Sequence, residues 1–235
     1  MKLLLISNST NAGESYLQHP IEQIGRFLRP EIDSVLFLPY AAVTFSYDAY
    51  EKKVRDKFAE LGIGVESIHH YASPVDAIAA ARAIVIGGGN TWQLTRCMHD
   101  ANLIDPIREK VLTGTPFIGW SAGANVACPT IRTTNDMPIV DPVGLYACNL
   151  VPFQINPHYL DANPEGHAGE TREQRIQEFI EINPDLYVVG LREGTMIEIT
   201  NHTISLIGPR PARIFRKGET PREIMPGGDL EFLLG

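Results

Sequence analysis

Cysteine is scarce in this chain: Cys97, Cys128 and Cys148 are the three present in 235 residues, and none stands in a CxxC spacing. Such usage excludes a disulfide framework and offers no zinc-ligand pattern, so a reducing, cytoplasmic setting is expected. Positive charge is also in deficit, with 20 Lys and Arg against 28 Asp and Glu and a net charge of −8. That sign is wrong for a nucleic-acid platform or a polybasic membrane surface. Long apolar runs are missing. The opening Leu3–Ser7 has the length of a buried strand, far short of a membrane span or a signal peptide. No fixed-period repeat and no low-complexity linker interrupts the first 210 residues, so one domain over 1–235 is expected. HExxH is absent, and so is the Gly-Lys-Ser/Thr of a phosphate loop; a metal-dependent hydrolase and a P-loop NTPase both lose their usual signatures.

What is present is ordinary globular material, 44% hydrophobic and 20% charged. Buried-strand patterns occur at Lys2–Ser7, Ser34–Pro39, Ala83–Ile86, Pro116–Gly119, Leu150–Ile155 and Leu186–Leu191. Apolar positions at three- and four-residue intervals predict helices over Ile21–Leu28, Asp48–Leu61, Val75–Ala81, Thr91–His99, Leu103–Leu112 and Arg172–Ile182. The alternation predicts an α/β fold, a three-layer α/β/α sandwich around a mostly parallel sheet. Met196–Thr200 and Thr203–Ile207 flank Asn201-His202 as a hairpin forming an antiparallel edge. The Pro- and Gly-rich stretch Pro209–Gly228 offers little chemistry.

In such a sheet, sites collect at the carboxyl ends of strands. Gly119-Trp120-Ser121-Ala122-Gly123 follows an apolar strand and precedes a run of small residues. This is the G-x-S-x-G elbow, in which a sharp strand-to-helix turn exposes a serine hydroxyl; a tight structural turn is the alternative. His158, closing Gln154-Ile155-Asn156-Pro157-His158, is the histidine placed to take the serine proton. Two carboxylates compete to orient it: Glu193 follows the next apolar strand, whereas Asp136, with Asp141 behind it, fits the chain order of α/β-hydrolases. Gly87-Gly88-Gly89-Asn90-Thr91 is a second strand-to-helix turn, and Trp92 stands where a dinucleotide fingerprint needs its third glycine. The economical reading pairs the Gly89 N–H with the Ala122 N–H as an oxyanion hole. Asn90, Arg132 and Arg172 are candidate substrate-binding residues, the arginines because a guanidinium clamps a carboxylate bidentately. His158 and His167 are too isolated to suggest a metal site.

These segments, together with Leu3–Thr10, Ile118–Ile139, Glu165-Gly166-His167 and Gly169–Arg175, resemble the peptidase E family of aspartyl dipeptidases over most of the chain. The resemblance implies a class I glutamine-amidotransferase-like, flavodoxin-like fold in which serine, here Ser121, replaces the usual cysteine. It implies hydrolysis of dipeptides with a free N-terminal aspartate in the cytoplasm, without metal or other cofactor. The partner is then a small peptide, with no nucleic acid or membrane, and the chain acts as monomer or homodimer. Carried over by motif, Ser121 is the nucleophile, His158 its base and Glu193 the triad acid, with Asp136 as the other charge-relay candidate. Asn11–Tyr16 and the tail after Pro209 depart from the family pattern. Three rivals remain: an acyl hydrolase acting on aspartyl isopeptides or polymers, a glutaminase-like domain, and a non-catalytic binding domain.

Overall fold

A computed structural model describes residues 1–163, 165, 166 and 168–235; His167 of the Glu165-Gly166-His167 motif lies outside the described residues. In chain order the elements are β1 (Lys2–Ile6), α1 (Ile21–Leu28), β2 (Ser34–Leu38), α2 (Tyr47–Ala59), β3 (Gly64–Ser67), α3 (Pro74–Ala80), β4 (Ile84–Ile86), α4 (Thr91–Asp100) and α5 (Ile104–Leu112). There follow β5 (Phe117–Trp120), α6 (Ala122–Asn125), β6 (Gln154–Tyr159), α7 (Arg172–Ile182), β7 (Val188–Arg192), β8 (Met196–Thr200), β9 (Thr203–Ile207), β10 (Ala212–Phe215) and β11 (Arg222–Ile224). A 3₁₀ turn, Ile68–His70, follows β3.

Seven strands form the main sheet in the order β3-β2-β4-β5-β1-β8-β9. The first five run parallel, and β8 and β9 add the predicted antiparallel hairpin beside β1. Every residue from Leu3 to Ile6 is buried, as a central strand covered on both faces must be. Side chains alternate between the layers: Leu3, Leu5, Leu36, Leu38, Ile84 and Ile86 pack with α3, α4 and α5, whereas Leu4, Ile6, Phe37 and Val85 pack with α1 and α2. The helices start where local chemistry satisfies their free N–H groups: Ser46, Ser73 and Asn90 cap α2, α3 and α4, and Thr171 with Gln174 forms a capping box on α7. Among the described residues no helix is long and apolar enough to cross a membrane.

The sequence pattern differs from the structure in the C-terminal third. β6 and β7 do not extend the main sheet; they pair in parallel within a second, four-stranded sheet ordered β11-β10-β7-β6. The apolar run from Leu150 is coil up to Phe153, buried except at Pro152, and the strand occupies Gln154–Tyr159 instead. β10 and β11 come from the Pro/Gly-rich stretch that showed no strand signal, and the short, alternating β3 was also missed. The second sheet packs Tyr159, Val188 and Phe215 against Ile176 and Ile180 of α7.

Candidate active site

The turn from β5 into α6 gives Ser121 φ 54° and ψ −115°, a region in which a non-glycine residue is strained. The surrounding structure holds it there. The Ser121 N–H donates to Ile6 O of β1 at 3.0 Å, and the Ser121 carbonyl accepts from the N–H groups of Ala124 and Asn125, both at 3.0 Å. The two glycines of the motif are needed for close approach. A Cβ at Gly119 would lie 2.2 Å from the Gly123 carbonyl oxygen, and one at Gly123 would lie 2.1 Å from Ile86 O of β4.

His158 and Glu193 arrive from the second sheet, and the end of β1 brings them to the serine. The Ser7 hydroxyl donates to Leu191 O at 2.7 Å and accepts from the His158 N–H at 3.0 Å. Asn8 Oδ1 accepts from the Gly194 N–H at 2.8 Å, while the Ser7 N–H donates to Thr195 O at 3.0 Å. A bulge in β6 between Pro157 and Tyr159 turns His158 out of the strand register, with φ 54°. His158 Nδ1 then lies 2.7 Å from Glu193 Oε1, and His158 Nε2 lies 2.9 Å from Ser121 Oγ. A carboxylate only accepts, so Nδ1 carries the proton and Nε2 is left with the lone pair that faces the serine hydroxyl. Arg192, next to Glu193, is pinned by Asp161 and by Glu223, the latter at 2.7 Å, so the end of β7 is fixed.

Asp136 is elsewhere. Its Oδ2 accepts from the Thr91 N–H at 2.8 Å, from Thr91 Oγ1 at 2.6 Å and from Thr134 Oγ1 at 3.2 Å. It therefore sits on the N-terminus of α4, where a carboxylate is favoured, and makes no hydrogen bond to His158. Asp141 is exposed and turns back on its own loop through Val143 N–H. Two of the candidate substrate-binding residues make structural contacts and do not line the cavity at Ser121. Asn90 caps α4 through Oδ1 and donates to Met137 O through Nδ2, and Arg132 donates to Thr130 and stacks over Phe179. Arg172 differs, since it lines a cavity of about 300 Å³ with Ser121, His158, Glu193, Asp136 and Thr134. It makes no hydrogen bond or ion pair with any described side chain, and burial and Arg175 lower its pKa against the pull of Asp136 and Glu193. Burial pushes the Cys128 and Cys148 thiols up to about 12, which keeps them protonated.

One residue packed beside the elbow carried no sequence signal. Buried Tyr50 of α2 donates its hydroxyl to Gly88 O at 2.9 Å and accepts from Trp120 Nε1 at 3.1 Å. Burial holds its phenol up at about 12, so the donor proton is retained. Gly88 abuts Ser121, for a Cβ there would fall 2.9 Å from Ser121 Cβ. Because C=O and N–H point oppositely across a trans peptide, holding Gly88 O toward Tyr50 aims the Gly89 N–H out of the core. The N–H groups of Gly89 and Ala122 donate to no backbone carbonyl among the described residues.

The chain is similar to known proteins over most of its length. A protein named peptidase E from Nostoc sp. (strain PCC 7120) is 51% identical over 233 residues, 99% of this chain and 96% of its own length. A Salmonella typhimurium (strain LT2) peptidase E is 49% identical over 219 residues, covering 93% of this chain and 95% of its own length. Among solved structures, a peptidase from an acI-B1 Actinobacterium shares the fold with a TM-score of 0.64 at 17% identity, over 96% of this chain and 94% of that one. The model of the family described as "Peptidase family S51" matches residues 3–207, so this chain belongs to peptidase family S51 and is a serine peptidase.

Proposed function

We propose that the chain hydrolyses the peptide bond that follows a free N-terminal aspartate, in Asp-Xaa dipeptides, through an acyl-enzyme on Ser121. The observation that carries this reading is Arg172: a half-buried guanidinium that makes no ion pair among the described residues, lining the same small cavity as the serine. An unpaired arginine in a confined site is a carboxylate receptor. Asp136 Oδ1, which accepts no hydrogen bond among the described residues, supplies the opposite charge for a substrate ammonium. The aspartate side chain and the free amine then have complementary partners on either side of the scissile carbonyl.

In this reading Ser121 Oγ attacks the carbonyl carbon while His158 Nε2 takes the hydroxyl proton, and Glu193 stabilises the imidazolium. The Gly89 and Ala122 N–H groups receive the oxyanion. The C–N bond breaks as His158 returns the proton to the leaving amine. Water, deprotonated by His158, then releases aspartate and restores Ser121. The chain's own residues account for each proton.

The test is amino-acid release from Asp-Leu, Leu-Leu, Asn-Leu and N-acetyl-Asp-Leu. Cleavage confined to Asp-Leu is expected, and comparable cleavage of Leu-Leu would remove the aspartate reading. Arg172→Met should raise KM for Asp-Leu by about 10- to 100-fold with a smaller change in kcat, the worth of a charge-assisted bidentate contact. An unchanged KM would take Arg172 out of recognition.

Tyr50→Phe tests the oxyanion assignment. Losing the bond to Gly88 O frees the peptide to rotate, and kcat should fall about tenfold or more with KM within about twofold, because aim rather than a donor is lost. The variant also leaves Trp120 Nε1 without its acceptor, at a cost of about 1–3 kcal/mol in unfolding experiments. A Tm loss with kcat intact would leave Tyr50 a packing residue only.

A further inference from the structure

We propose that Asp48, Glu51, His69 and His70 form a binding site for a divalent transition-metal ion of the Zn²⁺ class, separate from the peptidase site. None of the four lines the cavity around Ser121. They meet because two local periodicities face each other. Asp48 and Glu51, three residues apart, share one face of α2. Across from them, the 3₁₀ turn after β3 presents His69 and His70 in succession, their ring centroids 3.9 Å apart. One donor atom from each residue lies within 4.8 Å of every other. His69 Nε2 is 2.9 Å from Asp48 Oδ1, and His70 Nε2 is 2.6 Å from Glu51 Oε2 and 3.9 Å from Asp48 Oδ1. A tetrahedral zinc site needs its donors about 3.3 Å apart, given metal–ligand bonds near 2.0–2.1 Å. The present distances bracket that value, so small side-chain movements open the site.

The surroundings are those of a ligand set. His69 Nδ1 lies 2.6 Å from the hydroxyl of buried Ser67, a bond that fixes the ring and leaves Nε2 as the outward donor. The Glu51 side chain is only 5% exposed; Arg55 holds Oε1, which leaves Oε2 for the site. A dication bound by two neutral imidazoles and two carboxylates makes a neutral set. Two nitrogens with two oxygens suit Zn²⁺, Co²⁺ or Ni²⁺, while Mg²⁺ and Ca²⁺ prefer all-oxygen shells. Bound metal would tie α2 to the end of β3. It takes no part in the proposed hydrolysis.

The test is calorimetric titration of the chelator-treated protein with ZnCl₂. Expected are one ion per chain and a Tm raised by about 5 °C at a hundredfold excess over the dissociation constant. The double variant His69→Ala/His70→Ala should lose saturable binding and the Tm increase while keeping the wild-type rate of peptide hydrolysis. Asp48→Asn, at an exposed position that tolerates the change, should weaken binding by about tenfold or more even if the double variant fails to fold. No saturable binding to the wild type, or binding that persists undiminished in Asp48→Asn, would overturn the proposal. MgCl₂ in place of ZnCl₂ should give no binding, and equal affinity for both ions would overturn the assigned ligand class.

Discussion

Ser121→Ala is expected to lose about four to six orders of magnitude in kcat for Asp-Leu while remaining folded. The loss is large because the hydroxyl is the atom that forms the acyl bond, and no neighbouring group replaces it: the cysteines are protonated, and Cys128 and Cys148 lie in the core. Stability should change little. Among the described residues the hydroxyl makes one hydrogen bond, to His158, and alanine keeps the Cβ that the elbow already accommodates at φ 54°. The same backbone predicts a second comparison. Ser121→Gly relieves the cost of a side chain at positive φ, so it should melt higher than Ser121→Ala, by about 1 kcal/mol, while being equally inactive. Stopped-assay turnover and thermal melts read the two effects separately. Turnover of Ser121→Ala near the wild-type rate would remove the serine from the chemistry.

The parts of the site that the sequence displays are those whose geometry is local. The elbow is five consecutive residues, and each glycine has a steric reason readable from its spacing, so Ser121 could be found without knowing the sheet. His158 was reached through its position at a strand end, although the strand begins four residues later than the apolar run suggests and belongs to a different sheet. The triad acid was not decidable in that way. Glu193 meets His158 because β6 and β7 pair in parallel across a long connection, and nothing local distinguishes that pairing from the α/β-hydrolase order that favours Asp136. Ser7, Asn8 and Tyr50 carry no local signal for the same reason: the bonds that tie them to the site reach backbone atoms 184, 186 and 38 residues away. β10 and β11 were missed because proline and glycine dominate their flanks, and pairing with β7 overrides that local signal.

Glu193→Gln and Asp136→Asn should part company, and their difference assigns the two carboxylates. Glu193→Gln keeps size and shape but removes the charge 2.7 Å from His158 Nδ1. If the new amide donates to Nδ1, the proton moves to Nε2 and the imidazole can no longer accept from Ser121. If the amide oxygen faces Nδ1 instead, the imidazolium formed during attack has lost its counter-charge. Either way kcat should fall about 10³- to 10⁴-fold, with KM nearly unchanged because the ground state binds as before. Asp136→Asn acts on other atoms. Its side-chain oxygen can still accept from Thr91 N–H and Oγ1, so α4 keeps its start and loses only about 0.3–1 kcal/mol of charge–dipole stabilisation. What disappears is the negative charge lining the cavity, and with it the proposed attraction for a substrate ammonium. KM should therefore rise about tenfold or more, the larger effect, while kcat falls less. The two parameters give orthogonal readouts. A collapse of kcat in Asp136→Asn with Glu193→Gln near wild type would transfer the orienting role to Asp136 and require His158 to leave Glu193 during turnover.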